Sequence, residues 1–227
     1  MARTQAKTNL KYIKIHYRYM ASLRFRDTKL TLIGHATFRI ETPDITIYTD
    51  PFRIPDNSPP ADFILISHSH YDHCDPGDIK KITKESTMII ASEEAKRKLK
   101  GDIQTVTQND EITIRGLTIK TIPAYNINKP YHPKGAGVGF IIDTGQTTIY
   151  FAGDTDYTDE MKELKDIDIC LVPIGGTYTM DEKEASGFVN HIKPKVAIPM
   201  HYGSITPGDP VEFKRLTDPQ IDVRIMA

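Results

Sequence analysis

The 227-residue chain has only two cysteines, Cys74 and Cys170, and they form no CxxC pair. A disulfide framework is thereby excluded, and the composition fits a reducing compartment. No apolar run approaches the roughly 20 residues of a bilayer span. The first residues also lack the apolar core of a secretion signal, so the expectation is a soluble cytoplasmic protein with no membrane partner. Charge of one sign is missing too: 29 Lys and Arg against 30 Asp and Glu leave a formal net charge of −1. Bulk electrostatics therefore does not favour nucleic acid as an obligatory partner. No interdomain linker or low-complexity segment interrupts the chain. The reading is a single domain over residues 20–227, long enough for a substantial core or an internal pseudo-repeat. A basic extension precedes it at residues 1–19, with Arg3, Lys7, Lys11, Lys14 and Arg18 and no acidic residue. That extension is expected to be dispensable, with an RNA-binding arm as the rival reading.

Short β-branched runs recur throughout. The first set comprises Leu30 to Ile33, Thr37 to Glu41, Ile45 to Thr49, Phe63 to Ser67, Thr87 to Ala91, Ile103 to Thr107, Glu111 to Arg115 and Leu117 to Ile122. A second set follows at Val138 to Asp143, Thr147 to Ala152, Ile167 to Val172 and Val196 to Pro199. Their lengths fit strands. Three helices are expected between them. One opens at Asp75-Pro76 and runs through Ile82, one runs from Ser92 through Leu99, and one runs from a capping box at Asp181 and Glu184 to about Ile192. Strands alternating with a few helices, in two halves that each begin with antiparallel pairs, predict two sheets packed face to face with outer helices.

The richest segment is Ile64-Leu-Ile-Ser-His68-Ser-His70-Tyr-Asp72-His73, an apolar strand that ends in four metal-ligand side chains within six positions. Such an ordered cluster needs a cation to justify it, because charged imidazoles this close repel and desolvate one another. His68 and His70 are one residue apart and point the same way on extended chain, so they can share one metal. Asp72 and His73 lie on the turn beyond and can face a second. The construction recurs twice: Phe151-Ala-Gly-Asp154 delivers a carboxylate able to bridge two cations, and Val196-Ala-Ile-Pro-Met-His201 delivers an imidazole. Six or seven ligands over two metals suit a catalytic site, which keeps positions free for water.

HSHYDH, FAGDT and PMHYG together resemble the metallo-β-lactamase superfamily. Leu32-Ile-Gly-His35-Ala-Thr, Thr49-Asp50-Pro51 and Pro173-Ile-Gly-Gly176 look like its branch of L-ascorbate-6-phosphate lactonase-like metal-dependent hydrolases. The resemblance covers nearly everything after Met20 and implies an αββα sandwich of two mixed β-sheets with outer helices. It implies His68 and His70 as ligands of the first metal, Asp72, His73 and His201 as ligands of the second, and Asp154 as the bridge. Relatives carry a third imidazole for the first metal after a Pro-Ala-aliphatic stretch. Here Pro123-Ala-Tyr-Asn126 puts an amide at that place, and His132 stands six residues on. An amide is a poor partner for zinc-like cations, so His132 is the expected ligand, with Asn126 among the substrate-facing residues. The rival reading makes His132 a substrate-facing acid or loop residue.

Asp50 is expected to accept the outer N–H of a ligating His. His35 is expected to line the site or donate to an oxyanion, and Tyr202, Tyr125 and Tyr178 to steady substrate oxygens. Lys134 is expected beside the metals, where a cation suits a phosphate or carboxylate on the substrate. The implied cofactors are two divalent ions, zinc first, with manganese or iron as alternatives. The expected chemistry is metal-assisted hydrolysis, in which a hydroxide held between the metals, oriented by Asp72, attacks an ester, lactone, amide or phosphoester of a small molecule. Incidental β-lactam cleavage is an expected promiscuity. A phosphodiesterase or nuclease and a metal-binding protein without turnover are the two alternatives.

Overall fold

The computed structural model describes residues 21–203 and 205–226; the basic extension lies outside the described residues. The strands form two seven-stranded sheets, one in the order β1 (Ser22–Phe25), β2 (Thr28–Gly34), β3 (Thr37–Glu41), β4 (Thr46–Thr49), β5 (Phe63–Ile66), β6 (Met88–Ser92) and β7 (Ile103–Val106). The other, from β8 (Glu111–Ile114), runs through β9 (Leu117–Ala124), β10 (Gly137–Asp143), β11 (Thr148–Phe151), β12 (Ile169–Pro173) and β13 (Val196–Met200) to β14 (Asp222–Val223). Each sheet opens with three antiparallel pairings and closes with three parallel ones. This shared order is the pseudo-repeat that the length allowed.

Among the described residues four α-helices, α1 (Pro76–Ile82), α2 (Glu93–Lys96), α3 (Glu182–Ile192) and α4 (Pro210–Leu216), accompany the strands. Asp75 caps α1 by accepting from the Asp78 amide at 2.9 Å, with Pro76 in the first turn. Asp181 and Glu184 form the expected capping box on α3. The helix expected through Leu99 is shorter, because after Lys96 the chain continues only as turns. β1, α4 and β14 were not expected. No helix among the described residues is long and apolar enough to cross a membrane.

The parallel strands are buried on both faces, which is why they read as unbroken apolar runs. All four residues of β5 are buried: Phe63 and Leu65 join the core shared with Phe140, Phe151 and Leu171 of the second sheet, while Ile64 and Ile66 pack with Ile79 and Ile82 of α1. On the second sheet α3 brings Phe188 edge-on to Tyr150, with ring centroids 5.9 Å apart. The parallel halves meet along one edge. There the segments after β2, β4, β5, β11 and β13 carry His35, Asp50, His68 to His73, Asp154 and His201. Carboxyl ends of parallel strands are the usual place for a binding crevice in open sheets.

Candidate metal centre

Three of these residues have left-handed backbone just past a strand: His35 at φ 53°, Asp50 at φ 39° and His201 at φ 57°. Non-glycine residues adopt this region at a cost, and such strain concentrates at functional sites. Two glycines let the loops close. Gly153, at φ 64°, brings the Asp154 loop against Ser67, whose Cβ would lie 3.1 Å from any Cβ added there. A Cβ on Gly175 would sit 2.6 Å from the His201 carbonyl oxygen.

The side chains converge in two groups whose candidate ligand atoms lie within 4.8 Å of one another: His68, His70, His132 and Asp154, and His35, Asp72, His73 and His201. In the first, His132 Nε2 is 3.1 Å from His70 Nδ1 and 3.3 Å from Asp154 Oδ2, with His68 Nε2 3.9 Å from the same oxygen. Asp154 reaches the second group as well, with Oδ2 3.0 Å from His201 Nε2 and Oδ1 3.4 Å from His73 Nε2. His68 Nε2, His73 Nε2, His201 Nε2 and Asp154 Oδ1 are buried with no hydrogen-bond partner. Buried polar atoms are rarely left unpaired. Four orphaned atoms converging from separate strand ends fit divalent cations, and the mixed imidazole and carboxylate donors suit zinc, manganese or iron.

The outer nitrogens of the rings are held. Asp50, fully buried, accepts from His73 Nδ1 at 2.7 Å and from the Ser67 amide and hydroxyl at 2.7 and 2.5 Å. The Ser67 hydroxyl in turn lies 2.9 Å from His68 Nδ1. Donating to Asp50, it accepts from His68, so one carboxylate orients two rings and leaves their Nε2 atoms free to ligate. Sequence reasoning missed Ser67. Its position, one residue before His68 at the strand end, was the available signal.

His132 is seated by its own loop. The Asn126 amide donates to the His132 carbonyl at 2.8 Å, and the His132 amide donates back to Asn126 Oδ1 at 3.0 Å. His132 Nδ1 lies 3.1 Å from both Asn126 Oδ1 and the Tyr178 carbonyl oxygen, which makes it the N–H side of the ring. The chain therefore turns back on itself so that residue 132 faces residue 126. The imidazole enters the cluster, and the amide stands behind it as its support rather than facing substrate. Replacing His132 by Ala is expected to lower the metal bound per chain by about one equivalent, because the first group then loses one of its three imidazoles and keeps only His68, His70 and the Asp154 carboxylate that also reaches the second group. Elemental analysis checks this, and an unchanged count removes His132 from the coordination shell.

Electrostatics follows the same division. Burial, reinforced by the charge of His73, pushes the His68 pKa well down, and burial also lowers those of His70 and His35. Burial opposes charging of His73 as well, but Asp154 and Asp50 on either side outweigh it and hold its pKa well up. In the metal-free protein a proton thus supplies positive charge where a cation would. Asp72 is held down at about 2, since the His35 hydrogen bond and the His73 charge overcome its burial.

The metal-free protein acquires a pH dependence of definite sign. Below the ordinary His value of 6.5, the unfolded chain binds protons that the folded His68, His70 and His35 refuse, so stability is lost as the pH is lowered. His73, protonated in the folded chain throughout this range, opposes weakly, because the unfolded ring only passes from about half to mostly protonated. Asp50, whose carboxyl burial raises, opposes as well, which leaves two groups against three. The melting temperature of chelated protein is expected to drop from about pH 6.5 to about pH 5.5; calorimetry showing a rise would contradict it.

Several expected substrate groups are turned elsewhere. The Tyr202 phenol donates to the Met226 carbonyl at 3.2 Å, and burial raises its pKa. Left-handed His201 sends the next side chain toward the chain end, away from the cluster. Tyr125 Oη donates to Glu160 at 3.0 Å, and Lys134 pairs with the same carboxylate at 2.7 Å. None of the three lines the cavity over the imidazoles. His35 does not reach that cavity either: its Nε2 lies 3.1 Å from Asp72 Oδ2, behind the carboxylate. The cavity, of about 440 Å³, is lined by His70, Asp72, His132, Asp154 and His201, together with Tyr71, Tyr131, Tyr178 and Ile205. Of its apolar wall only Tyr178 was anticipated.

Two seven-stranded mixed sheets with a His and Asp cluster at the ends of their parallel strands define a metallo-β-lactamase fold. The sequence profile described as Beta-lactamase superfamily domain matches residues 29–201, and the chain belongs to that family. It is 34% identical over 210 residues to a UPF0173 metal-dependent hydrolase of Methanopyrus kandleri, covering 82% of this chain and 90% of the relative. A Pyrococcus abyssi protein of the same description is 35% identical over 217 residues, covering 87% and 96%. A crystal structure from Parabacteroides distasonis superposes with a TM-score of 0.86 at 34% identity, over 92% of this chain and 99% of the other. The chain is a metal-dependent hydrolase of the metallo-β-lactamase superfamily.

Proposed function

We propose that the protein is a binuclear hydrolase of a small-molecule ester, lactone, amide or phosphoester. One observation carries this reading: the Asp154 carboxylate stands between two groups of imidazoles, and in them the inward Nε2 atoms of His68, His73 and His201 have no hydrogen-bond partner. His68, His70 and His132 would hold the first cation, Asp72, His73 and His201 the second, and Asp154 both. Two such cations supply Lewis acidity and a water of pKa about 7. The chain's own groups do the remaining work. Asp72 lines the cavity, stays ionised across the neutral range and is oriented by His35, so it can accept a hydrogen bond from the attacking water. Asp50, Ser67 and Asn126 fix the ring nitrogens that point outward, so the cluster needs little rearrangement during turnover.

The test is a panel of a lactone, a phosphodiester, a β-lactam and single-stranded RNA, run on metal-replete, chelated and reconstituted protein. Hydrolysis of the lactone or phosphodiester that disappears on chelation and returns with zinc, manganese or iron is expected, with weak β-lactam cleavage. Selective cleavage of RNA would move the protein to the nuclease reading. Inactivity with every metal would leave a metal-binding protein without turnover.

A further inference from the structure

The cavity over the cluster carries a substrate preference of its own. Tyr131 and Tyr178 meet edge to face at 4.6 Å and 76°, and both are solvent-exposed, at 43% and 38%. Tyr71, 65% exposed, contributes to the same cavity with Phe52 edge-on behind it at 5.8 Å. Three exposed phenol rings around one opening are an unusual concentration of uncovered apolar surface, and burying them is favourable for any ligand with a complementary face. Their position is tied to the imidazoles. Tyr131 precedes His132, Tyr71 lies between His70 and Asp72, and the Tyr178 carbonyl oxygen accepts from Asn126 Nδ2 at 2.9 Å beside His132.

The charged groups point the same way. Asp72 and Asp154 are the carboxylates of the cavity lining, and Glu94 lines the smaller recess beside His68 and His70. Among the described residues no lysine or arginine lines either space. The nearby lysines are engaged: Lys134 by Glu160, Lys129 by Asp156 at 2.6 Å, and Lys98 by the Ser69 carbonyl oxygen. An anionic group remote from the scissile bond, and so from the cations that Asp72 and Asp154 would hold, would meet the phenol rings with no lysine or arginine as countercharge.

We propose that the substrate carries a planar ring next to the scissile bond, seated between Tyr71 and the Tyr131–Tyr178 pair, and no anionic group distal to it. About 440 Å³ accommodates a molecule of one or two rings, at the smaller end of ligand sites. The inference rests on the hydrolase reading only for where the scissile bond lies, so binding and turnover are measured separately.

Calorimetric titration of metal-replete protein compares phenylacetamide, cyclohexylacetamide and 4-(phosphonooxy)phenylacetamide. The methyl esters of the three corresponding acids are assayed for hydrolysis in parallel. Phenylacetamide is expected to bind several-fold more tightly than the cyclohexyl compound and about tenfold more tightly than the phosphorylated one. The Tyr131→Ala/Tyr178→Ala protein, with metal content and melting temperature checked, is expected to lose the phenyl preference. Tighter binding of the phosphorylated compound, or a phenyl preference that survives in the double variant, would overturn the inference. If the binding order holds but none of the esters is cleaved, the cavity inference stands and ester hydrolysis is the part that fails.

Discussion

Asp154→Asn is expected to abolish measurable turnover while the fold remains. In the proposed site this is the one side chain common to both groups, with Oδ2 3.0 Å from His201 Nε2 and 3.3 Å from His132 Nε2, and Oδ1 3.4 Å from His73 Nε2. Burial works against its ionisation, yet His201 and His73 hold its carboxyl well below the usual range, so a full negative charge sits at the centre. The amide is nearly the same size but uncharged, and it turns an N–H toward one of the two groups. A drop in kcat/KM of more than about a hundredfold is expected, beyond what changes behind a ligand produce. Metal per chain should fall by at least about one equivalent. Thermal unfolding and circular dichroism of the metal-free forms separate this from misfolding. Retained turnover with both metals bound would remove Asp154 from the bridge.

Asp50→Asn is the second change with a large expected effect, and it acts without touching substrate. Asp50 holds His73 directly and His68 through the Ser67 hydroxyl. Both of these bonds end on Oδ2, while Oδ1 accepts from the Ser67 amide, so an amide in its place sets an N–H either against the Ser67 N–H or against His73 Nδ1 and the Ser67 hydroxyl. Either way the negative charge beside His73 is lost, and the strand end that seats His68 or the ring of His73 loses its hold. Metal affinity is expected to fall about tenfold to a hundredfold, the range found when a residue behind a metal ligand is replaced. Competition with a chelator of known affinity measures it. With saturating metal, most of the lost activity should return, whereas Asp154→Asn should not recover. Equal failure of both variants at saturating metal would put Asp50 in the reaction itself.

The sequence was most legible where a strand ends in a ligand. An apolar run stopping at His68, Asp154 or His201 fixes both the strand and the direction in which the next side chain is delivered, and the structure brings all three together. Parallel strands buried on both faces were equally plain, because nothing polar interrupts them. Elements at the edges were harder to read. β1 alternates between exposed and half-buried residues, and β14 has two residues. α4 was overlooked although Asp209-Pro210 repeats the Asp75-Pro76 signature that announced α1.

Within the site, the ligand-bearing segments were legible and the directions of the loop side chains were not. Tyr202 follows a proposed ligand yet leaves the cluster, because His201 has left-handed backbone. Lys134 reads as a free cation until Glu160, 26 residues away, closes on it. Tyr131, adjacent to His132, carries no motif and lines the cavity all the same. His132 was recoverable because zinc-like cations disfavour amides; how Asn126 holds it required the folded loop.

Native mass spectrometry of the metal-replete protein checks whether two cations share Asp154. A mass increment of two divalent ions per chain is expected, falling to one in His132→Ala. An increment of one in the unaltered protein, or of two that His132→Ala leaves in place, would contradict it.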